Sequence, residues 1–181
     1  LIFREVEDRD LVRRARGGDV EGYNLLVSRW EKRLYNYLLR LVGNREDAMD
    51  LTQEVFLKAY QNLGKLEDAG RFGPWLFRIA HNEAFSLLRR RRPESDTDSE
   101  LAREALSYRM YPVEMSIAVE RALNSLSPEQ REAVILKIYQ GWKFEEMAEA
   151  LDCPVSTVKS RLYTALDRLK EMLAPVRSSE S

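Results

Sequence analysis

Residues 93–100 read Pro-Glu-Ser-Asp-Thr-Asp-Ser-Glu, a stretch without one apolar side chain. No packed core can run through it, because burial there offers nothing against the entropy of ordering the chain. The 181 residues are therefore expected to fold as two units, residues 1–92 and 113–181, joined by a flexible linker over 93–112 with a transient turn around Leu101–Leu106. Units of about 90 and 60 residues lie near the lower limit for independent folding.

Within both units the apolar period is helical, and no strand alternation or internal repeat is visible. Tyr23, Val27, Trp30, Leu34, Leu38 and Leu41 recur at three- and four-residue steps and predict one long amphipathic helix, with Asp19 as its N-cap and Gly43 as its left-handed terminus. Asn44 is placed to cap a second helix with Ala48, Leu51, Val55, Ala59 and Leu63 inward and Gly64 closing it. Gly73-Pro74 reads as the start of a third, with proline at its first position, running to the cluster Arg89–Arg92 and stopped by Pro93. After Pro112 three or four shorter helices are expected, one opened by the capping box Ser127-Pro128-Glu129-Gln130. The fold class is all-α, in two small helical domains.

Lys and Arg number 29 against 30 Asp and Glu, but the near-zero sum is uneven. Residues 1–92 carry 18 basic and 14 acidic groups, residues 93–113 carry 2 and 5, and residues 114–181 carry 9 and 11. Six arginines stand against Glu83 alone in residues 71–92, and Lys159, Arg161, Arg168 and Lys170 stand against Asp167 in residues 153–170. Two basic stretches are thus separated by an acidic connector, which suits an anionic polymer better than the total suggests. One Cys and one His form neither an internal disulfide nor a Cys/His zinc site, so no metal or cofactor is expected and a cytoplasmic setting fits. No apolar run approaches the roughly 20 residues of a membrane span, so no membrane insertion is expected.

The most specific motif lies between Phe144 and Leu162. Two short helices meet at a tight turn, small Ala148 allows close approach, and Met147, Leu151, Val158 and Leu162 fill the wedge. Asp152 stands where such a turn usually has glycine, a mild departure since Asp tolerates the left-handed region. Ser156 is expected to cap the second helix. That helix then presents Thr157, Lys159, Ser160, Arg161, Tyr163 and Thr164 where a helix-turn-helix reads base edges and phosphates. Cys153 reads as a small turn residue.

The helix after Gly73 carries two stripes. Leu76, Ala80, Ala84 and Leu87 form a core face; Trp75, Arg78, Asn82, Phe85, Arg89 and Arg92 form a second. Arginine binds phosphate, aromatics stack on unpaired bases and Asn reads a base edge. Alternatively Trp75 and Phe85 are simply core and the arginines a solvated face, except that four adjacent guanidiniums repel one another and favour an anionic partner. His81 lies outside both stripes and is assigned no catalytic role.

With these residues in place the chain resembles a bacterial RNA polymerase sigma factor of the extracytoplasmic-function (ECF) type, over roughly residues 8–172. The anchors are Asn44-Arg45-Glu46-Asp47-Ala48 with Asp50-Leu51-Thr52-Gln53-Glu54-Val55-Phe56, then Trp75-Leu76-Phe77-Arg78-Ile79-Ala80-His81-Asn82, then Leu126-Ser127-Pro128-Glu129-Gln130-Arg131 and the helix-turn-helix. The resemblance implies a promoter-specificity subunit without catalysis of its own. Its first domain (region 2) would dock on the β′ coiled coil of core RNA polymerase through Asp47, Asp50, Gln53, Glu54 and Phe56. The loop Lys65–Gly73 and the following helix would melt the −10 element and hold a flipped base, with Arg71, Arg78, Asn82, Arg89 and Arg90 as contacts. Its second domain (region 4) would read the −35 element through Ser156, Thr157, Lys159, Ser160, Arg161, Tyr163, Thr164 and Arg168, and touch the β flap. The linker would thread toward the RNA path, and an anti-sigma factor would hold the protein inactive.

Three departures from the family pattern bear on specificity. Leu66-Glu67-Asp68 replaces an aromatic-Arg-Gly run, Ser86 stands for Asn or Asp, and Thr164-Ala165-Leu166 replaces Arg-x-Arg. The competing reading is a stand-alone dimeric helix-turn-helix repressor or activator, which leaves the tryptophan-arginine helix and the acidic ridge without a use. No phosphate loop, metal cluster or nucleophile–base set points to an enzyme.

Overall fold

In the computed structural model, which describes residues 5–91 and 113–177, every regular element among the described residues is helical. The expected linker and Arg92 lie outside them. Helices α1 (Asp8–Arg16), α2 (Val20–Val42), α3 (Arg45–Gln61) and α4 (Phe72–Arg90) form the first half. Helices α5 (Val113–Asn124), α6 (Pro128–Val134), α7 (Phe144–Leu151) and α8 (Val155–Arg177) form the second, with a wider π turn over Ile135–Tyr139 continuing α6.

The caps follow from local chemistry. Asp19 Oδ1 accepts from the Gly22 amide at 3.3 Å and opens α2, Gly43 ends it at φ 78°, and Asn44 Oδ1 accepts from the Asp47 amide at 3.0 Å and opens α3. Ser127 and Gln130 form the expected capping box. Of the α2 stripe all but half-buried Val27 are buried, as is the whole α3 stripe. In α4, Leu76, Ala80 and Ala84 are buried and Leu87 is half-buried.

Four boundaries differ from expectation. Helix α3 ends at Gln61, and Gly64 sits inside a short 3-10 turn, Leu63–Lys65, rather than closing the helix. Helix α4 begins at Phe72, so Pro74 is its third residue rather than its first. Gly73 is demanded by packing: a Cβ there would stand 2.5 Å from the Trp30 ring. Helix α8 begins at Val155 with the Pro154 carbonyl accepting from the Thr157 and Val158 amides, so Ser156 is already helical and is not the cap. At 23 residues α8 is also not short.

The two halves do not sit apart like beads. They share one apolar cluster, into which α4 gives Phe77 and the turn before α7 gives Trp142, their ring centroids 4.6 Å apart. Phe77 also meets Trp30 and Tyr37 of α2, at 6.0 and 5.0 Å. Around this contact Arg131 of α6 donates to the Leu41 carbonyl at 2.9 Å, while Gln140 and Arg33 exchange hydrogen bonds. Each half alone offers little apolar area, and packing them together enlarges the core.

Candidate nucleic-acid interface

Helix α4 and the loop before it carry the first group of candidates. Arg16 of α1 donates to the carbonyls of Leu63 and Leu66, clamping the loop, while Asp68 Oδ1 accepts from the Gly70 amide at 2.9 Å. Leu66 is buried and Asp68 is engaged in the turn, so Glu67 is the part of the Leu66-Glu67-Asp68 run that is exposed and without a turn role. Arg71, Arg78, Asn82, Arg89 and Arg90 are all exposed. Trp75, Arg78 and Asn82 edge a cavity of about 310 Å³ whose other walls include Lys58, Asn62 and Lys65. Trp75 and Phe85 are each half-buried, so both serve the core and still show an edge.

The arginine cluster at the end of α4 is not uniform. Arg91 donates to the Val42 carbonyl at 2.7 Å and to the Asp47 carboxylate, tying α4 to the α2–α3 corner. This corrects the picture of four guanidiniums awaiting an anion: Arg91 already has its partners. It also removes part of the acidic ridge, since Asp47 is half-buried and paired. Of the polymerase-docking candidates, Asp50, Gln53 and Glu54 remain exposed, the last 3.6 Å from Lys58. Phe56 is a correction: it is buried, and its carbonyl accepts from the Tyr23 hydroxyl, so it supports the helix from within. Met49, Leu57 and Tyr60, large side chains outside the expected docking set, are exposed on the same helix beside Gln53. Their helical spacing on the face opposite the Ala48–Leu63 stripe was the available signal.

The second group sits on α8. Asp152 takes the left-handed conformation at φ 51°, α8 leaves the turn, and Met147, Leu151, Val158 and Leu162 are buried in the wedge. Ser156, Lys159, Ser160, Tyr163, Thr164 and Arg168 are exposed, while Thr157 and Arg161 are half-buried. Lys159, Ser160, Tyr163 and Thr164 recur at three- and four-residue steps and so share one face. Arg168 lies nearer the C-terminal end, where its Nη1 reaches Gln130 at 3.3 Å. Burial pushes the Cys153 thiol up, away from thiolate character.

Residues 26–94 match the family described as sigma-70 region 2, and residues 116–169 match sigma-70 region 4. The chain is 33% identical to the ECF RNA polymerase sigma-E factor of Escherichia coli (strain K12), covering 97% of this chain and 98% of that one. It is 32% identical to the RNA polymerase sigma-H factor of Pseudomonas aeruginosa, with the same coverage. The chain belongs to the ECF RNA polymerase sigma factors. Among solved structures it is similar to CnrH in complex with the cytosolic domain of CnrY, at TM-score 0.74 and 25% identity over 93% of this chain and 97% of that chain. It is also similar to the sigma factor RpoE in complex with the anti-sigma factor NepR from Bartonella quintana, at TM-score 0.67 and 27% identity, covering 84% and 96%. As a sigma factor the protein is a transcription initiation factor. No helix among its described residues is long and apolar enough to cross a membrane.

In this sigma factor the two matched segments meet directly. Arg71 Nη2 lies 3.1 Å from Glu149 Oε2, without the alignment of a hydrogen bond, and Arg78 donates to Asp152 at 2.9 Å. Beneath them Glu132, fully buried, accepts from the Tyr37 hydroxyl, and its Oε1 lies 2.8 Å from His81 Nδ1. His81 therefore has a structural partner from the other half. Burial, reinforced by the Glu132 carboxylate, drives the Tyr37 hydroxyl well above its ordinary pKa.

Proposed function

We propose that the protein is the promoter-specificity subunit of a bacterial RNA polymerase. It binds core enzyme in the cytoplasm, recognises −35 and −10 elements, promotes DNA melting and has no catalytic step of its own. The observation that carries this reading is the presence of three differently charged exposed faces on one chain. Asp50, Gln53 and Glu54 on α3 suit a basic partner, the β′ coiled coil. Arg71, Arg78, Asn82, Arg89 and Arg90 suit the melted −10 strand, with Trp75 available for stacking. Ser156, Lys159, Ser160, Tyr163 and Thr164 suit the major groove at −35, with Thr157, Arg161 and Arg168 toward phosphates. The domain division at residues 1–92, 93–112 and 113–181 belongs to the same reading, as does a contact of the second domain with the β flap.

Two structural relatives are described in complex with other proteins, CnrY and the anti-sigma factor NepR. We infer by this likeness that an anti-sigma factor holds the present chain inactive. With about three or four phosphate-neutralising groups per domain, free binding to duplex DNA is weak and salt-dependent. Tethering on polymerase raises the effective concentration of the second contact.

The docking face is tested by co-elution with core polymerase on gel filtration. Wild-type protein is expected to co-elute, and the charge-reversed Asp50→Arg/Glu54→Arg protein to elute alone with an unchanged thermal melt. Equal co-elution of the two would remove α3 from the docking surface.

A further inference from the structure

We propose that Arg16 of α1 is a positioning residue for −10 recognition: it holds the loop between α3 and α4 in the shape that sets Lys65 and Arg71 beside Trp75, Arg78 and Asn82. This role rests on the reading of that face as the site of the melted −10 strand. Helix α1 precedes the segment that matches sigma-70 region 2, residues 26–94, so its part is read from this chain's own contacts.

The loop is held at both ends. Arg16 Nε donates to the Leu63 carbonyl at 3.1 Å, and its Nη2 donates to the Leu66 carbonyl. These two carbonyls bracket the 3-10 turn Leu63–Lys65, and Leu66 at its end is extended, at φ −68° and ψ 111°. One planar guanidinium fork thus sets the direction in which the chain leaves α3, and the single ammonium of a lysine cannot reproduce it. The Leu63 and Leu66 side chains are buried, while Lys65 between them is exposed and shares the cavity of about 310 Å³ with Trp75, Arg78 and Asn82. At the far end, Gly70 lets Arg9 of the same helix lie against the backbone: a Cβ there would stand 2.8 Å from the Arg9 guanidinium. Gly70 belongs to the second 3-10 turn, Ala69–Arg71, which delivers Arg71 to the start of α4.

Helix α1 serves as a brace because it is itself fixed. Leu11 and Val12 are buried, and Asp8 accepts from Arg29 at 2.6 Å and from the Trp30 indole at 2.9 Å. At Gly22 the two helices approach so closely that a Cβ would stand 3.1 Å from Arg14 Cβ. Without the fork the loop samples other shapes, and affinity for the strand falls with the fraction of chains in the competent one. Arg13 supplies a contrast on the same helix: it is exposed and pairs instead with Asp10, at 3.9 Å.

The test uses holoenzyme reconstituted from core polymerase and the full chain. Barcoded fragments of a promoter that the wild-type holoenzyme transcribes are randomised at −10 in one pool and at −35 in another. Transcript yields then give the discrimination between bases at each position. Arg16→Ala is expected to lose about fivefold to tenfold of the discrimination at −10 and less than about twofold at −35. A loss of stability alone lowers the active fraction and leaves both ratios unchanged, so the readout separates positioning from support. Arg16→Lys, which keeps the charge without the fork, is expected to resemble Arg16→Ala, and Arg13→Ala to resemble wild type. Neither Arg16 variant disturbs buried Leu63 or Leu66. Equal losses at −10 and −35, recovery of wild-type discrimination in Arg16→Lys, or an equal −10 loss in Arg13→Ala overturns the role. Arg78→Ala/Asn82→Ala tests the face itself. Unchanged −10 discrimination there overturns the −10 reading, whereas a loss there with none in Arg16→Ala overturns the positioning role alone.

Discussion

Phe77 of α4 and Trp142 of the turn before α7 meet ring to ring across the two halves of the chain, centroids 4.6 Å apart and planes inclined by 50°. Both are buried, at 1% and 4% exposure, and Phe77 simultaneously packs on Trp30 and Tyr37. One pair therefore joins the core of the first half to that of the second.

Cooperative unfolding of the two halves depends on this pair. Trp142→Ala is expected to cost about 3–5 kcal/mol. In calorimetry the wild type should melt in one transition and the variant in two, the earlier belonging to the second half. A single unshifted transition would show that the halves are coupled elsewhere.

The buried tyrosines make stability depend on pH at the alkaline end. Tyr37 is raised well above its ordinary 10.0 by burial and by Glu132 beside it, and Tyr23 is raised by burial. Above pH 10 the unfolded chain has released these protons while the folded chain keeps them. The folded state then binds more protons, so their contribution is fully present below pH 10 and is lost as pH rises beyond it. Each tyrosine adds a fall of about 1.4 kcal/mol per pH unit there. Urea midpoints measured from pH 8 upward should fall beyond pH 10, and Tyr23→Phe/Tyr37→Phe should flatten the decline.

Gly73 fixes the angle at which α4 leaves the loop. A methyl group there meets the Trp30 ring, which is itself held by Asp8 through its Nε1 at 2.9 Å. Gly73→Ala is expected to cost about 1–3 kcal/mol as an overpacked site, read as a lower thermal midpoint. Because the shift falls at the start of α4, binding of single-stranded DNA should weaken in the same variant. Gly64→Ala, with nothing within 4 Å of the added group, should leave both unchanged.

What could be read from residue order was whatever local chemistry decides. Asp19, Gly43, Asn44 and the Ser127–Gln130 box act within four residues of where they stand, and the stripes of α2 and α3 need only helical spacing. Contacts between distant segments left no such trace. Arg91 looked like one more member of a basic cluster, and its engagement with Asp47 and Val42 depends on how α4 crosses the α2–α3 corner. Phe56 followed the motif yet faces inward, because it sits beside Val55 on the buried side of α3. The partners of His81 and Asp152, and one of the four carbonyls that Arg131 reaches, come from the opposite half, across a segment whose sequence signals only separation. Ser156, a serine just past the turn, suggested a cap, but the Pro154 carbonyl already accepts from the Thr157 and Val158 amides and the helix has begun at Val155.

Whether this chain confers promoter specificity on core polymerase is read by run-off transcription. Purified protein is mixed with core enzyme and a pool of promoter fragments, and the 5′ ends of the transcripts are mapped. Discrete start sites that share −35 and −10 sequences and depend on added protein are expected, and are lost with Asp50→Arg/Glu54→Arg. Transcripts absent under conditions where the protein is folded, or starts identical to those of core enzyme alone, would contradict it.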